Sequence, residues 1–303
     1  METKKQDLKR VFIYIVITFL LTWVYSLLIV YPIANGEALN GIPALATQLA
    51  VAAAMFFPAI GVLLTRLITK EGFRDVWLHP HIKGNVKTYL LAWFGPAILT
   101  FAGMGVYFLI FPNNLDLSFS YMKAMMAAAG TPYEAQAVPM DLLMTIQCVQ
   151  AVFLAPVLNF VTCFGEEWGW RGYLLPKISK YFSTVPTLLI TGIIWGLWHA
   201  PMTIIGHNYG LDYWGFPFTG IAMMCVFCIV LGVFLSFVTL KTGSCIPAIL
   251  AHGAINGIAA IGIYFTFDGG NPFIGPAPTG IIGLIPFMIV AVFMVLHLKK
   301  QDI

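Results

Sequence analysis

The chain has 303 residues, of which 59% are hydrophobic and 10% charged, with a formal net charge of +3 and a mean hydropathy of +0.86. A soluble domain carries about 25% charged and 45–50% apolar residues. So few charges cannot cover a water-exposed surface of this size, which excludes a cytosolic enzyme, a disordered chain and a secreted disulfide scaffold and leaves an all-α polytopic membrane protein. The basic residues lie in short separate clusters beside apolar runs, so nucleic acid is not an expected partner.

A membrane-crossing helix needs about 20 predominantly apolar residues. Eight runs qualify: 11–31, 45–69, 88–111, 142–165, 186–206, 218–240, 246–265 and 280–298. The first follows Lys4, Lys5, Lys9 and Arg10 like a signal peptide, but its apolar run is longer than the ~7–15 residues of a signal core, so it is expected to be retained. Residues 112–141 form the longest connection on the other side, where Phe119–Ala129 reads as a short interfacial helix. Residues 268–280, rich in Gly and Pro, read as turns. No soluble domain or repeat interrupts the pattern, and residues 1–303 are expected to form one membrane domain.

Lys and Arg set the orientation. Fifteen of the 16 fall in the N-terminus, the 66–87 loop, the 166–185 region, Lys241 and the tail, and only Lys123 lies on the alternate side. The basic side is therefore expected to be cytoplasmic, with both termini inside. Cys148, Cys163, Cys225, Cys228 and Cys245 all sit in apolar stretches and read as small core residues. The C-x-x-C spacing of Cys225 and Cys228 lacks the βαβ context that gives that motif a redox meaning.

Ionisable residues inside a membrane are costly and point to function. Three motifs stand out: Gly165-Glu166-Glu167-Trp168-Gly169-Trp170-Arg171, Trp195-Gly196-Leu197-Trp198-His199 and His252-Gly253-Ala254-Ile255-Asn256. Glu167 and Arg171 are four apart and share a helix face, so they are expected to pair. Glu166 points about 100° away, free of that cation and suited to general acid–base work; the plainer reading has both acids capping a helix beside Arg171. His252 and Asn256 also share a face, to bind a metal, to aim donors at an oxyanion or simply to hold two helices together. Pro201 is expected to kink or end the helix at His199. If the fourth helix runs on to Lys177, Glu166, His199 and His252 all lie ~16–20 Å along their helices and can meet at one depth. A cavity open to the cytoplasm is expected there. His79, His81, His207, Asp212 and His297 are assigned to loops or the interface, away from it. Trp23, Trp93 and Trp168 read as filler or interface anchors.

E-E-x-x-x-R, then aromatic-x-x-x-H, then H-x-x-x-N on successive membrane helices resembles the CPBP (CAAX protease and bacteriocin-processing, or Abi) intramembrane protease family, whose eukaryotic relative is the type II CAAX prenyl endopeptidase. The resemblance covers about residues 140–265, the expected catalytic core, with Trp195 where the family often has Phe. It implies an endopeptidase acting on a membrane-associated peptide, a prenylated CAAX-type C-terminus being one candidate, in a bacterial plasma membrane. Glu166 would activate water with help from His199, His252 and Asn256 would stabilise the oxyanion, and Glu167, Arg171 and Trp195 would support the site. Two divisions of labour are compatible with the family: a Zn²⁺ ion held by Glu166, His199 and His252, or a glutamate-type peptidase with no cofactor. The second is preferred, since no polar group that would orient either histidine is evident. A non-proteolytic scaffold or bacteriocin-immunity protein on the same fold is the alternative, and a transporter ranks third because the outer halves of the spans carry almost no charge.

Overall fold

The computed structural model describes residues 2–34, 44–135 and 137–300, and those residues are helices, turns and loops without a β-strand. In chain order the helices are α1 (Glu2–Tyr25), running through a π turn into α2 (Tyr31–Ala34), then α3 (Ala44–Ala54), α4 (Phe57–Ile68), α5 (Val86–Ile110) and α6 (Ser120–Ala128). They continue with α7 (Met140–Phe153), α8 (Ala155–Leu158), α9 (Phe160–Gly169), α10 (Leu175–Ile178), α11 (Thr184–Trp198), α12 (Ala200–Ile204), α13 (Phe218–Thr242), α14 (Ile246–Ile258) and α15 (Ile285–Lys299). Five helical stretches are long and apolar enough to cross a bilayer: Lys5–Ala34, Ala46–Ile68, Val86–Ile110, Phe218–Thr242 and Ile246–Phe265. The other three expected spans appear as shorter apolar helices, Met140–Phe153, Thr184–Trp198 and Ile285–Lys299.

The reasons for the shortening are local. The expected span 142–165 is broken after Phe153 and again at Asn159, with Pro156 opening the single turn of α8. Beyond Gly169 the chain does not stop, however: a π turn over Trp170–Leu174 carries it to Ile178, and Pro176 is accommodated in the first turn of α10, where its missing N–H has no partner to lose. The helix through the acidic motif thus reaches Lys177 as expected. The expected span 280–298 starts only at Ile285, because residues 281–284 complete a turn. The interfacial helix is α6, Ser120–Ala128; Asp116 caps its entrance by accepting from the Ser118 and Ser120 amides at 2.8 and 2.7 Å.

Lipid offers no hydrophobic drive for helix association, so helices in membranes depend on close backbone approach at small residues. The three motif helices each carry a pair of glycines four apart, on the packing face. At Gly165 a Cβ would lie 2.5 Å from the Met55 carbonyl oxygen, and at Gly169 2.5 Å from Pro58, which seats α9 on α4. At Gly192 and Gly196 a Cβ would lie 2.7 and 2.5 Å from the Cα atoms of Ile229 and Cys225, which seats α11 on α13. Gly253 and Gly257 do the same for α14 against Pro156 and Ala155. The core that results centres on α9, α11, α13 and α14, with Trp170, Trp195, Phe234, Leu235 and Ile249 almost fully enclosed.

At the end of the bundle that carries the basic residues, the chain is tied by charge. Lys177 Nζ reaches Asp7 at 3.1 Å and also pairs closely with Glu71, while Lys180 bonds the second Asp7 oxygen at 2.9 Å. Arg66 donates to the Gly72 and Asp75 carbonyls at 2.6 and 2.7 Å, fixing the 69–85 loop against the bundle. Burial pushes the Glu71 carboxyl up, but hydrogen bonds from Lys177 and Tyr173 outweigh it and hold the group below its ordinary value of 4.5.

Two predictions follow from this packing. Gly165→Ala is expected to destabilise the bundle by about 1–3 kcal/mol through overpacking against α4, read as a lowered thermal midpoint in detergent. Gly105→Ala, on α5 with open space around it, should leave the midpoint level or raise it. Because Glu71 has a depressed folded value, its contribution is present above the unfolded value and is lost as pH falls through the folded one. Stability in detergent should therefore decline below about pH 4.5, and Glu71→Gln should flatten that acid limb.

Candidate functional site

The packing brings the three motifs together around one internal cavity of about 330 Å³. Glu166 from α9, Trp195 from α11, His199 at the α11–α12 junction, and His252 and Asn256 from α14 all line it. His199 occupies the residue between the two helices and Pro201 begins the next one, as expected of a proline two residues on. Its Nδ1 lies 2.9 Å from the Trp195 carbonyl oxygen and 3.7 Å from Cys228 Sγ. The orientation of this ring is thus set by the backbone of its own helix, a partner that no side-chain pattern reveals.

The two adjacent glutamates part as helical geometry requires. Glu167 turns away from the cavity and accepts from Arg171 Nη1 at 3.0 Å, with both side chains buried. The same Oε1 atom meets His252 Nδ1 at 2.8 Å, so one carboxylate oxygen joins α9 to α14. Its other oxygen, also buried, has no hydrogen-bond partner. Glu166 lies at the cavity wall, 2% exposed, and its Oε2 accepts from the Trp195 indole at 2.8 Å. Trp195 thus contacts Glu166 through a hydrogen bond that a Phe at that position could not make. Its ring also lies 4.1 Å from the Arg171 guanidinium carbon and packs edge-on to His252 at 5.5 Å. A cation over an indole face is attracted by the ring quadrupole, so Trp195 ties Glu166, Arg171 and His252 into one unit.

Asn256 lines the cavity beside His252, and its amide nitrogen lies 3.6 Å from Cys163 Sγ. Much of the rest of the lining is apolar, including Val51, Met55, Met202, Met224, Phe227 and Leu231. Among the described residues no group of three or more His, Cys, Asp or Glu side chains is gathered so as to hold a metal ion. Glu166, His199 and His252 border one cavity without forming such a cluster.

One expectation about the surroundings is corrected. His207, assigned to a loop far from the cavity, lines it together with Asn208, because the chain after α12 folds back over α13 rather than leaving the bundle. The lining also shows where along the helices the cavity lies. It does not extend toward the basic ends of the helices; it runs from Glu166 toward His207, Asn208, Ala260 and Thr279. On the basic side lie the buried side chains of Trp170, Arg171 and Tyr14, and at the basic end itself is a second cavity of about 380 Å³ lined by Asp7, Arg10, Arg66, Glu71, Tyr173 and Lys177 among others. Of the other residues set aside, His79 and His81 are exposed in the 69–85 loop, His297 meets Lys241 at 3.1 Å, and all five cysteines are free. Trp168 is buried filler that stacks on Phe164 and donates to the Val76 carbonyl at 3.1 Å.

An all-helical bundle with apolar membrane-length helices and buried acids and histidines around an internal cavity is the framework of a polytopic membrane protein with an intramembrane polar site. Residues 148–258 match the model of the type II CAAX prenyl endopeptidase Rce1-like family. A 92-residue stretch is 28% identical to the CAAX prenyl protease 2 of Methanococcus maripaludis, covering 30% of this chain. The matched stretch spans 34% of that relative's length. Both findings support the CPBP/CAAX protease family, and the family match contains all of Glu166, Glu167, Arg171, Trp195, His199, His252 and Asn256.

Removing one partner of a buried ion pair leaves an uncompensated charge and costs about 3–5 kcal/mol. Arg171→Met should therefore lower the thermal midpoint strongly, and the double variant Arg171→Met/Glu167→Gln, which removes both charges, should recover part of the loss.

Proposed function

We propose that the chain is an intramembrane endopeptidase that hydrolyses a peptide bond in a membrane-associated substrate. The observation that carries this reading is the convergence of Glu166, His199, His252 and Asn256 on one wall of an enclosed cavity, with Glu167 and Arg171 bracing it from behind. Peptide hydrolysis needs a base for water, donors for the oxyanion and a proton for the leaving amine. Glu166 takes a proton from the attacking water through Oε1, since Oε2 is engaged by Trp195. His199 helps to position that water. As the carbonyl becomes tetrahedral, His252 and Asn256 donate to the developing oxyanion. A His252 ring protonated at both nitrogens gives Nδ1–H to Glu167 and leaves Nε2–H for the substrate. Glu166 then returns its proton to the departing amine, and the substrate bond is broken with no covalent enzyme intermediate.

The Nδ1 bonds of His199 and His252, to a backbone carbonyl and to Glu167, leave each Nε2 free and would suit metal ligands as well as donors. The glutamate-type division of labour is preferred to a Zn²⁺ site because, among the described residues, Glu166, His199 and His252 do not gather into a metal-holding cluster. The apolar part of the lining suits a substrate residue of apolar character next to the scissile bond. In this reading the partners are a membrane-associated peptide and the bilayer.

The test uses purified full-length protein in detergent with two fluorogenic peptides, one farnesylated and of CAAX type, the other an unprenylated membrane peptide. Glu166→Gln should lower kcat by about 10²–10⁴-fold, the usual contribution of a general base. Asn256→Ala should lower it by about 10²–10³-fold as an oxyanion donor is lost. Cleavage that persists in a zinc chelator supports the metal-free mechanism; loss restored by Zn²⁺ overturns it. Full activity in Glu166→Gln overturns the assignment of the base.

A further inference from the structure

The cavity at the basic end shares no lining residue with the one around Glu166. Its walls come from three parts of the chain: the start of α1, the end of α4 with the loop after it, and the π turn with α10. Four cations, Arg10, Arg66, Lys177 and Lys180, and three acids, Asp7, Glu71 and Asp75, line it. Four against three leaves a net charge of +1.

The cations are unequally engaged. Lys177 takes the tight contacts, with Asp7 at 3.1 Å and with Glu71. Lys180 has one bond, to Asp7 at 2.9 Å, and 58% of its side chain is exposed. Arg10 reaches Thr69, Asp7 and Glu71 only at 3.3, 3.4 and 3.7 Å, beyond the usual range of a good N–H···O bond. Arg66 is 3% exposed and donates to the Gly72 and Asp75 carbonyls. No carboxylate among the described residues contacts its guanidinium, and its buried Nε has no hydrogen-bond partner. A buried cation is costly unless a counter-charge meets it. Arg10 and Lys180 at the rim and Arg66 beneath them thus have charge and donors to spare, and an anion with several acceptor oxygens uses both.

The surroundings say where such an anion comes from. On α1, Leu8 beside Asp7 and Phe12 two residues beyond Arg10 are 47% and 69% exposed. Phe73, in the loop that Arg66 fixes, is exposed as well. The charged cavity therefore opens beside apolar side chains on a helix that crosses the membrane. A free anion has no use for that neighbourhood. A phospholipid does: its phosphate enters the cavity while its chains lie along Leu8 and Phe12. Basic pockets between membrane helices hold lipid headgroups in this way.

We propose that this cavity binds the phosphate of an anionic phospholipid from the leaflet that meets the basic end, with Arg10 and Lys180 donating to it and Arg66 adding charge from beneath. The exposed Asp75 carboxylate accepts from a headgroup hydroxyl, so a phosphoglycerol headgroup fits the mixed lining better than a bare phosphate. The bound lipid joins α1, the 69–85 loop and α10. It also braces the catalytic helix at a distance, because α10 continues the π turn that carries Arg171. None of this depends on the peptidase reading.

The experiment reads the thermal midpoint of the full-length protein, delipidated in a neutral detergent, as one additive at a time is titrated in. A ligand that binds the folded state raises the midpoint by mass action. Phosphatidylglycerol should give a saturable rise, and phosphatidylcholine or inorganic phosphate at the same concentration none. Arg10→Gln/Lys180→Gln should weaken the apparent affinity for phosphatidylglycerol by about 10–30-fold. Lys83→Gln removes an exposed positive charge from the same loop but not from the lining, and should change the affinity by less than about threefold. If the double variant does not fold, Lys180→Gln alone decides, with an expected weakening of about fivefold. Equal responses to phosphatidylglycerol and phosphatidylcholine overturn the proposal, as does an equal loss in Lys83→Gln. A matching rise with inorganic phosphate overturns the lipid as the source and leaves a free-anion site. Activity is not part of the readout, so none of these outcomes bears on the peptidase reading.

Discussion

The structure depends on one carboxylate oxygen. Oε1 of Glu167 receives both Arg171 and His252 in a place with almost no access to water. Two charged groups taken out of water repay the desolvation only when their geometry is good and their remaining bonds are made. That condition explains much of the surrounding architecture. Arg171 is covered by the Trp195 ring on one side, and α9, α11 and α14 approach closely enough for the bonds to form. The close approach depends in turn on glycine: any side chain at Gly165, Gly196 or Gly253 would hold two backbones apart. Charge and small-residue packing are thus one device, because shifting a helix by the width of a methyl group would lengthen the bonds that cross between helices, such as His252 to Glu167 and Trp195 to Glu166.

Much of this was legible in the sequence, for identifiable reasons. The apolar runs report helices because lipid demands internal backbone bonding, and the i, i+4 pairs report shared faces because a helix turns every 3.6 residues. The split between Glu166 and Glu167 follows from the same rule. The breaks at Phe153 and Asn159 were hidden, since they lie in a run whose hydropathy does not change across them. Trp195 was legible as a supporting residue, but not its bond to Glu166, because motif comparison treats it as equivalent to Phe, whereas only an indole has an N–H to give. His207 was set aside because loops are assumed to leave the bundle, and here the loop turns back across α13. The glycine pairs at 165/169, 192/196 and 253/257 were visible in the letters and carried the packing information that helix spacing alone lacked.

The polarity of the molecule is a second consequence of where charge is permitted. The ends of α4, α10, α13 and α15 gather cations, and the acids Asp7 and Glu71 neutralise those nearest the core. This ties α1, the 69–85 loop and α10 together around a charged cavity. The opposite end has few charges and depends instead on aromatic contacts such as Tyr209 with Phe273 and Phe119 with Phe265. An ionic floor and an aromatic, polar rim respond to different conditions, the first to acid and salt, the second to changes in the apolar surroundings.

The indole of Trp195 has a further meaning for anything that binds here. It is a donor with no acceptor capacity, wedged between Arg171 and His252, so it cannot turn to suit a ligand. Glu166 is consequently presented like a key blank clamped at one edge, with a single free oxygen facing a fixed direction. A small molecule meant to occupy the cavity gains nothing from flexible hydrogen bonding toward that carboxylate. One rigid donor, aimed at the exposed oxygen and backed by an apolar group sized for the methionine-lined wall, is the pharmacophore that this clamp dictates.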